Sequence, residues 1–234
     1  LNAQAHASHG MVRRTGFPFA RTAHAIPLTV DEFAIAHRHY PIVFGTGSIP
    51  TPLALTGLVE GQNLFIDSAD EWRADSYVPA YVRRYPFMLA KLTPQSEQLS
   101  LVFDDTCPQI VAGEGEPLFA GVDPSEATRN VLNFCEQFEQ SVARTRQVVE
   151  EIQKLDLFMD AEVSIQRPDM PQPAVFRGFK MVSEEKLREI RGDQARKLVQ
   201  NGVLGLVYAH MLSMSLIGEL HARASRNETD AAAA

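Results

Sequence analysis

The segment that most restricts the fold begins at Asp123. There "DPSE" sets a carboxylate, a proline and, three residues past the aspartate, a glutamate. That order reads as an N-cap, a first helical residue and the third position of a capping box. Ala127, Val131, Phe134, Phe138, Val142, Val149 and Ile152 follow at spacings of three, four or their multiples. A strand alternates its side chains with a period of two and cannot hold that set on one face, whereas a helix can. The spacing predicts one long helix from about 124 to 155. A helix with a single apolar stripe must lay it on something, and the residues before it supply the surface.

"YPIVFG" (Tyr40–Gly45) has the pattern of a short buried strand. "TPLALTGL" (Thr51–Leu58) and "QNLFID" (Gln62–Asp67) are strand-like runs joined by "VEG", which suggests a hairpin, and "LSLVFDD" (Leu99–Asp105) and "PLFAG" (Pro117–Gly121) continue the β character. Residues 1–30 are polar with scattered aromatics and read as an arm lying on the body. Beyond the long helix, "AEVSIQ" and "AVFRGFKMVS" resemble two strands around the loop Arg167–Pro173. Ser183 caps a short helix, and a last helix is expected from about Asp193 to Leu220, with Val199, Val203, Leu206 and His210 on one face. The expected fold is α+β: an N-terminal, mostly antiparallel β-sheet region followed by long C-terminal helices with a small β-hairpin. No flexible linker divides the chain. It is read as one integrated domain over residues 1–230, β-rich over 1–122 and helical over 123–220.

The chain carries 29 acidic and 22 basic residues, a net charge of -7, which argues against nucleic acid as the main partner. The charge is uneven. Asp104, Asp105, Glu114, Glu116, Asp123 and Glu126 are uninterrupted by any base, whereas Arg73, Arg83, Arg84 and Lys91 lie close together with one acid, Asp75. The two segments either face each other across the fold or form two solvated surfaces. The longest apolar run, Gly202 to Gly218, includes His210 and two serines and is read as a core helix rather than a membrane span. The cysteines, Cys107 and Cys135, lack zinc-finger spacing, and two lone thiols fit a reduced, cytoplasmic setting. No secretory signal is visible in the first thirty residues.

Few residues suggest chemistry. His37 and His39 in "HRHYP" would share one side of an extended strand and would ligate a metal if carboxylates such as Asp104 and Asp105 came near, but no metal-binding spacing surrounds them. His210 on an apolar helix face is either a hydrogen-bonded core histidine or a pocket group with its pKa lowered by burial. Ser213 and Ser215 lack a nucleophile-elbow context. "FGTG" lacks the full phosphate-binding pattern, and no base is placed beside Cys107. No cofactor is expected.

The remaining candidate is "YVPAYVRRYPF", Tyr77 to Phe87. Pro79 suits a helix start and Pro86 disfavours helical geometry at Tyr85, so a helix of about two turns fits between them. Tyr81, Arg84 and Tyr85 then meet on one face, with Trp72 just upstream. Tyr77, Tyr81, Arg83, Arg84, Tyr85, Trp72 and His210 are the candidate ligand-binding residues. The arginines would either trim a packing corner against the 104–126 acids or clamp a carboxylate or phosphate.

"LNAQAH", "PLTVDEF", "YPIVF", "LTGLVEGQNLFID…EW", "YVPAYVRRYPF", "EGEPLF" and "GFKMVSEEKLREI…LVQNGVLGLVYAHMLSM" together resemble the SapC family of bacteria, in order and over about residues 1–220. The matching pieces contain His6, Glu32, Trp72, Arg83, Arg84 and His210. The resemblance implies a protein tied to a surface-layer locus and carries over no catalytic residue. It also implies neighbours that include flavin-dependent halogenase-like enzymes. The expectation that follows is an accessory or binding protein for surface-layer or envelope-protein biogenesis, or for handling a peptide or protein substrate. The alternative is a metal-dependent, oxygenase-like enzyme built on His37 and His39, working beside a halogenase-like enzyme. A subunit that works only as an oligomer, a homo-oligomer included, is a third expectation.

Overall fold

The computed structural model describes residues 1–13, 15–96, 98–165 and 173–233. With 39% helix and 22% strand, and with antiparallel pairing in every sheet, the chain is α+β.

The main sheet has five strands. It is built from β2 (Ala25–Pro27), β3 (Ile42–Phe44), β4 (Pro52–Leu55), β11 (Phe158–Ile165) and β12 (Ala174–Val182), in the order β11-β12-β3-β4-β2. The C-terminal hairpin is therefore no separate unit but extends the N-terminal sheet. The loop Arg167–Pro173 lies outside the described residues except for Pro173. β3 sits mid-sheet and is buried on both faces. Ile42 and Phe44 point into the main core, while Val43 joins Ala161 and Phe179 on the opposite face. This is why its sequence is a continuous apolar run rather than an alternation. The other strands form small sheets. β1 (His9–Met11) lies between β7 (Ile110–Ala112) and β8 (Glu116–Pro117), β5 (Phe87–Ala90) pairs with β6 (Ser100–Phe103), and β9 (Phe119–Ala120) pairs with β10 (Asp123–Pro124). Residues 1–30, expected to be an arm, thus contribute β1 and β2 to two sheets, along with the short helix α1 (Ala3–His6).

The run Gln62–Asp67 is not a hairpin partner of β4. Its ties are irregular: Leu64 N–H donates to Thr56 O at 2.7 Å, Asn63 N–H donates to Arg21 O at 3.0 Å, and an isolated bridge joins Ile66 and Trp72. The approach is too close for a regular strand: a Cβ on Gly57 would stand 1.9 Å from the Gln62 carbonyl oxygen.

The short helices α2 (Phe33–Ala36) and α3 (Ala80–Arg83) precede the long one, α4 (Glu126–Lys154). The cap of α4 is Ser125, not Asp123. Asp123 and Pro124 are taken up by pairing with Ala120 and Phe119, and the Ser125 hydroxyl accepts from Thr128 N–H at 3.1 Å. Val149 and Ile152 enter the main core, and Cys135 enters a second core with Phe87, Leu101 and Leu118. One helix thus spans both cores. Of the expected stripe, Val142 stays exposed and Phe134 and Val131 are half-buried.

The expected single C-terminal helix is three pieces after α5 (Glu184–Arg188): α6 (Gly192–Gln200), α7 (Val203–Ser213) and α8 (Leu216–Ala233). Gly202, at φ 78°, breaks the rotation between the first two. Val199 consequently faces solvent and Leu206 is half-buried, while Val203, Val207, His210 and Ser213 form the buried face of α7. By length and composition Val203–Arg226 is apolar enough to cross a membrane, yet that face of α7 is committed to the sheet. The β3–β12 ladder registers only Lys180 against Phe44. α7 supplies the missing partners: Ile42 N–H donates to Ser213 Oγ at 2.9 Å, His210 Nδ1–H donates to Ile42 O at 2.6 Å, and Val182 N–H donates to His210 Nε2 at 3.0 Å. His210 is therefore a fully buried core histidine, paired at both nitrogens in its neutral form.

Candidate functional site

The Tyr77–Phe87 segment is organised by a buried carboxylate. Thr29 and Glu32 close a turn in which Glu32 Oε2 accepts from Thr29 N–H and Oγ1–H, both at 2.9 Å. Glu32 Oε1 accepts from Ala80 N–H at 2.7 Å, at the start of α3, and from the Tyr77 hydroxyl at 3.0 Å. Four donors on one carboxylate make its burial tolerable. Burial, with the Glu32 charge adding to it, pushes the Tyr77 hydroxyl up to about 12. That hydroxyl stays a hydrogen-bond group, and it accepts in turn from Arg83 Nη2 at 2.9 Å. Arg83 Nε also donates to Val78 O at 3.0 Å, and its guanidinium lies 5.4 Å from the ring centres of both Tyr77 and Phe134. A guanidinium has five N–H donors, so Arg83 is held firmly with donors left over.

Arg84 is placed differently. Its side chain is 15% exposed, its guanidinium stacks 4.4 Å from Tyr81 and 4.8 Å from Phe138, and Glu139 stands 3.9 Å away. Its guanidinium makes no hydrogen bond to any acceptor among the described residues, and Glu139 is its one ion-pair partner there. Stacking on two rings offsets part of the desolvation of a cation without using its in-plane donors. Arg84 also lowers the pKa of the Cys135 thiol, although burial prevails and raises it. Beyond it the Tyr85–Pro86 peptide is cis. The Tyr85 ring stacks on Phe19 and its hydroxyl donates to Asp104 at 3.1 Å. Burial, reinforced by that carboxylate, pushes the hydroxyl up to about 12.

The two arginines border a cavity of about 500 Å³, within the range of about 300–1,000 Å³ usual for small-ligand sites. Arg13, Gln109, Glu116 and Asn130 add polar groups to its wall, and Phe87, Ile110, Val131 and Phe134 add apolar ones. Three guanidiniums against one carboxylate make it locally cationic in an acidic protein. Neither arginine pairs with the 104–126 acids: the nearest carboxylate of Arg84 comes from α4, and Glu116 enters only as a member of the cavity wall. A second cavity of about 270 Å³ also includes Arg84 in its wall, with Tyr81, Phe138 and Val142 and with Pro27, Leu28 and Thr29.

The expected ligand residues therefore divide. Arg83, Arg84 and Tyr85 line the larger cavity, Tyr81 the smaller, and Tyr77 orients Arg83 from behind. Trp72 is a core residue whose Nε1–H donates to the Tyr40 hydroxyl at 3.1 Å, and it borders neither cavity. His37 and His39 follow α2 in a turn, not a strand. His37 Nδ1–H donates to Phe33 O at 2.9 Å, and burial lowers the His39 pKa. Asp104 is occupied by Tyr85 and Thr106. Among the described residues no group of three or more His, Cys, Asp or Glu is placed to hold a metal ion. Sequence reasoning missed Arg13, Gln109 and Asn130, which no motif marks, and it assigned Phe134 and Val142 to the core because they share its spacing.

The family model described as SapC matches residues 1–220. No curated protein and no solved structure matches the chain.

Proposed function

The chain belongs to the SapC family, and from that premise we propose that it is a binding protein whose cavity beside α3 receives a carboxylate-bearing partner. The observation that carries this reading is the pair Arg83 and Arg84 on the wall of a 500 Å³ cavity. Arg83 is fixed by Tyr77 and Val78 with donors to spare, and Arg84 is stacked on two rings with no acceptor of its own among the described residues. Guanidiniums held in advance lose little freedom on meeting a carboxylate and can grip it through two parallel hydrogen bonds. The aromatic and aliphatic wall suits an apolar body behind the acid. The cytoplasmic setting read from the two lone thiols and the envelope-related role implied by the family resemblance belong to this proposal, with a protein or peptide as partner and no nucleic acid.

The test is a calorimetric titration with 3-phenylpropionate, beside its amide. The acid is expected to bind and the amide to bind at least tenfold more weakly. Arg83→Ala/Arg84→Ala should lose at least tenfold in affinity for the acid, with a thermal melt confirming that the variant is folded. Equal binding of acid and amide, or an unchanged affinity in a folded double variant, would remove the role.

A further inference from the structure

The two cavities lie end to end on one face of α4. Asn130, Val131 and Phe134 belong to the larger, and Phe138, Val142 and Thr145 to the smaller. From Val131 on, these positions recur every three or four residues along one side of the helix, with Asn130 beside them, and Arg84 stands in the wall of both cavities. The centres of the two groups of α4 residues are separated by about 15 Å along the axis, at about 1.5 Å per residue. An extended chain covers that distance in about four residues.

The cavities differ in chemistry. The larger has three guanidiniums, two side-chain amides and a carboxylate. The smaller is bounded mainly by Pro27, Leu28, Tyr81, Phe138 and Val142, and its charged groups are Arg84, which it shares with the larger cavity, and Glu139. Accordingly Tyr81 and Val142 remain about 41% exposed, although both sit at apolar positions of their helices. An occupant of the smaller cavity is thus an apolar side chain.

Resting on the carboxylate-binding reading above, we propose that the ligand is an extended peptide segment. It carries a carboxylate held in the larger cavity and, about four residues away, an aromatic or aliphatic side chain held in the smaller. What selects a peptide over a fatty-acyl chain is the crossing between the cavities. Any chain joining them passes Arg84, whose guanidinium has no hydrogen-bond acceptor among the described residues. A hydrocarbon would strip water from that cation and return nothing, whereas a peptide carbonyl accepts from it. The Gln109 and Asn130 amides, and the Glu116 carboxylate as an acceptor, match peptide N–H and C=O groups in the same way.

The test uses blocked pentapeptides and the full-length protein. Acetyl-Glu-Ala-Ala-Ala-Phe-amide and its reverse order, acetyl-Phe-Ala-Ala-Ala-Glu-amide, are titrated beside the same peptides with Ser in place of Phe, and beside decanoate and 3-phenylpropionate. In one of the two orders the Phe peptide is expected to bind at least tenfold more tightly than its Ser counterpart. In Val142→Asp that preference should shrink to less than twofold, which a peptide merely adhering elsewhere would not show. Equal affinities for the Phe and Ser peptides in both orders would overturn it, as would decanoate binding as tightly as the better Phe peptide. In either case 3-phenylpropionate still reports on the carboxylate site by itself. Failure of 3-phenylpropionate and every peptide to bind would instead sink the underlying reading.

Discussion

His210 should couple the stability of this protein to pH. Its ring is fully buried and holds a pKa of about 4, because burial disfavours the imidazolium. The hydrogen bonds add direction to the effect. Nε2 already accepts from Val182 N–H, so a second proton there would set two N–H groups against each other, while Nδ1–H is given to Ile42. In the unfolded chain the same ring titrates near 6.5. A histidine with a depressed native pKa contributes stability that is complete above the unfolded value. That stability is lost as pH falls from about 6.5 toward about 4, because over that window only the unfolded state takes up the proton. The linkage relation gives a loss of about 2 kcal/mol between pH 7.5 and pH 5, and about 3 kcal/mol by pH 4. In a chain of this length 2 kcal/mol corresponds to about 4–8 °C in Tm.

Other groups titrate over the same range, so the quantity to measure is a difference. Urea unfolding of the parent and of His210→Gln at pH 7.5, 6 and 5 should give two curves that converge by about 2 kcal/mol toward the acid side. The variant is the less stable of the two at pH 7.5, where Ile42 and Val182 lose paired groups. The ring carbon and proton shifts of His210, followed by NMR, should stay flat from pH 8 to pH 5. Parallel stability curves, or an NMR midpoint above 6, would refute the argument that burial and the Val182 bond keep this ring neutral.

Two further substitutions probe how the site is held together. Glu32→Ala removes the acceptor for Thr29 N–H, Ala80 N–H and the Tyr77 hydroxyl. It should cost about 3 kcal/mol in urea unfolding, and because Tyr77 carries Arg83, it should also weaken binding of 3-phenylpropionate; a loss below about 1 kcal/mol would show that the carboxylate is dispensable. Gly57→Ala forces its Cβ against the Gln62 carbonyl oxygen, 1.9 Å away. It should destabilise the chain by about 2 kcal/mol, and a melt matching the parent's would mean that the 57–62 approach can open freely.

The helix α4, the strand β3, the 158–182 hairpin and the Ser183 cap could be read from the sequence because each rests on local rules: apolar spacing, a continuous apolar run, a hydroxyl before an acidic turn. What escaped was settled by backbone conformation that spacing does not show, or by contacts distant in sequence. No spacing rule marks the tight turn that pairs Asp123 with Ala120, three residues before it, and that pairing leaves Ser125 as the cap. Periodicity across Gly202 assumed an unbroken rotation, and a single residue at φ 78° turned Val199 outward. His37 and His39 looked like strand neighbours only because "YPIVFG" follows them, whereas the chain enters β3 from a helical turn. His210 was correctly placed on an apolar face. That its two nitrogens complete a ladder between β3 and β12 depends on Ile42 and Val182, one of them 168 residues away.

The same limit explains why the arginines could be singled out but not assigned. Adjacent arginines among tyrosines are compatible with a packed corner or with a clamp, and the two differ only in whether acceptors are already present. Arg83 comes close to the corner: Tyr77, itself fixed by the buried Glu32, and Val78 use two of its donors. Arg84 is flanked by rings and by the flank of α4, where the sole ion pair it makes among the described residues is the 3.9 Å approach of Glu139. A cation that needed only to be neutralised would gain more from a closer carboxylate, and the acids of 104–126 are near enough for Tyr85 to reach Asp104. Instead α4 presents Phe134, Phe138 and Val142 there. These residues keep the helical spacing of a core stripe but leave two cavities where the core would otherwise be closed. An apolar stripe that departs from the core at the point where an arginine lacks a hydrogen-bonded acceptor is the feature on which the proposed peptide site rests, and in that proposal Arg84 would contact the ligand between its charged end and its apolar one.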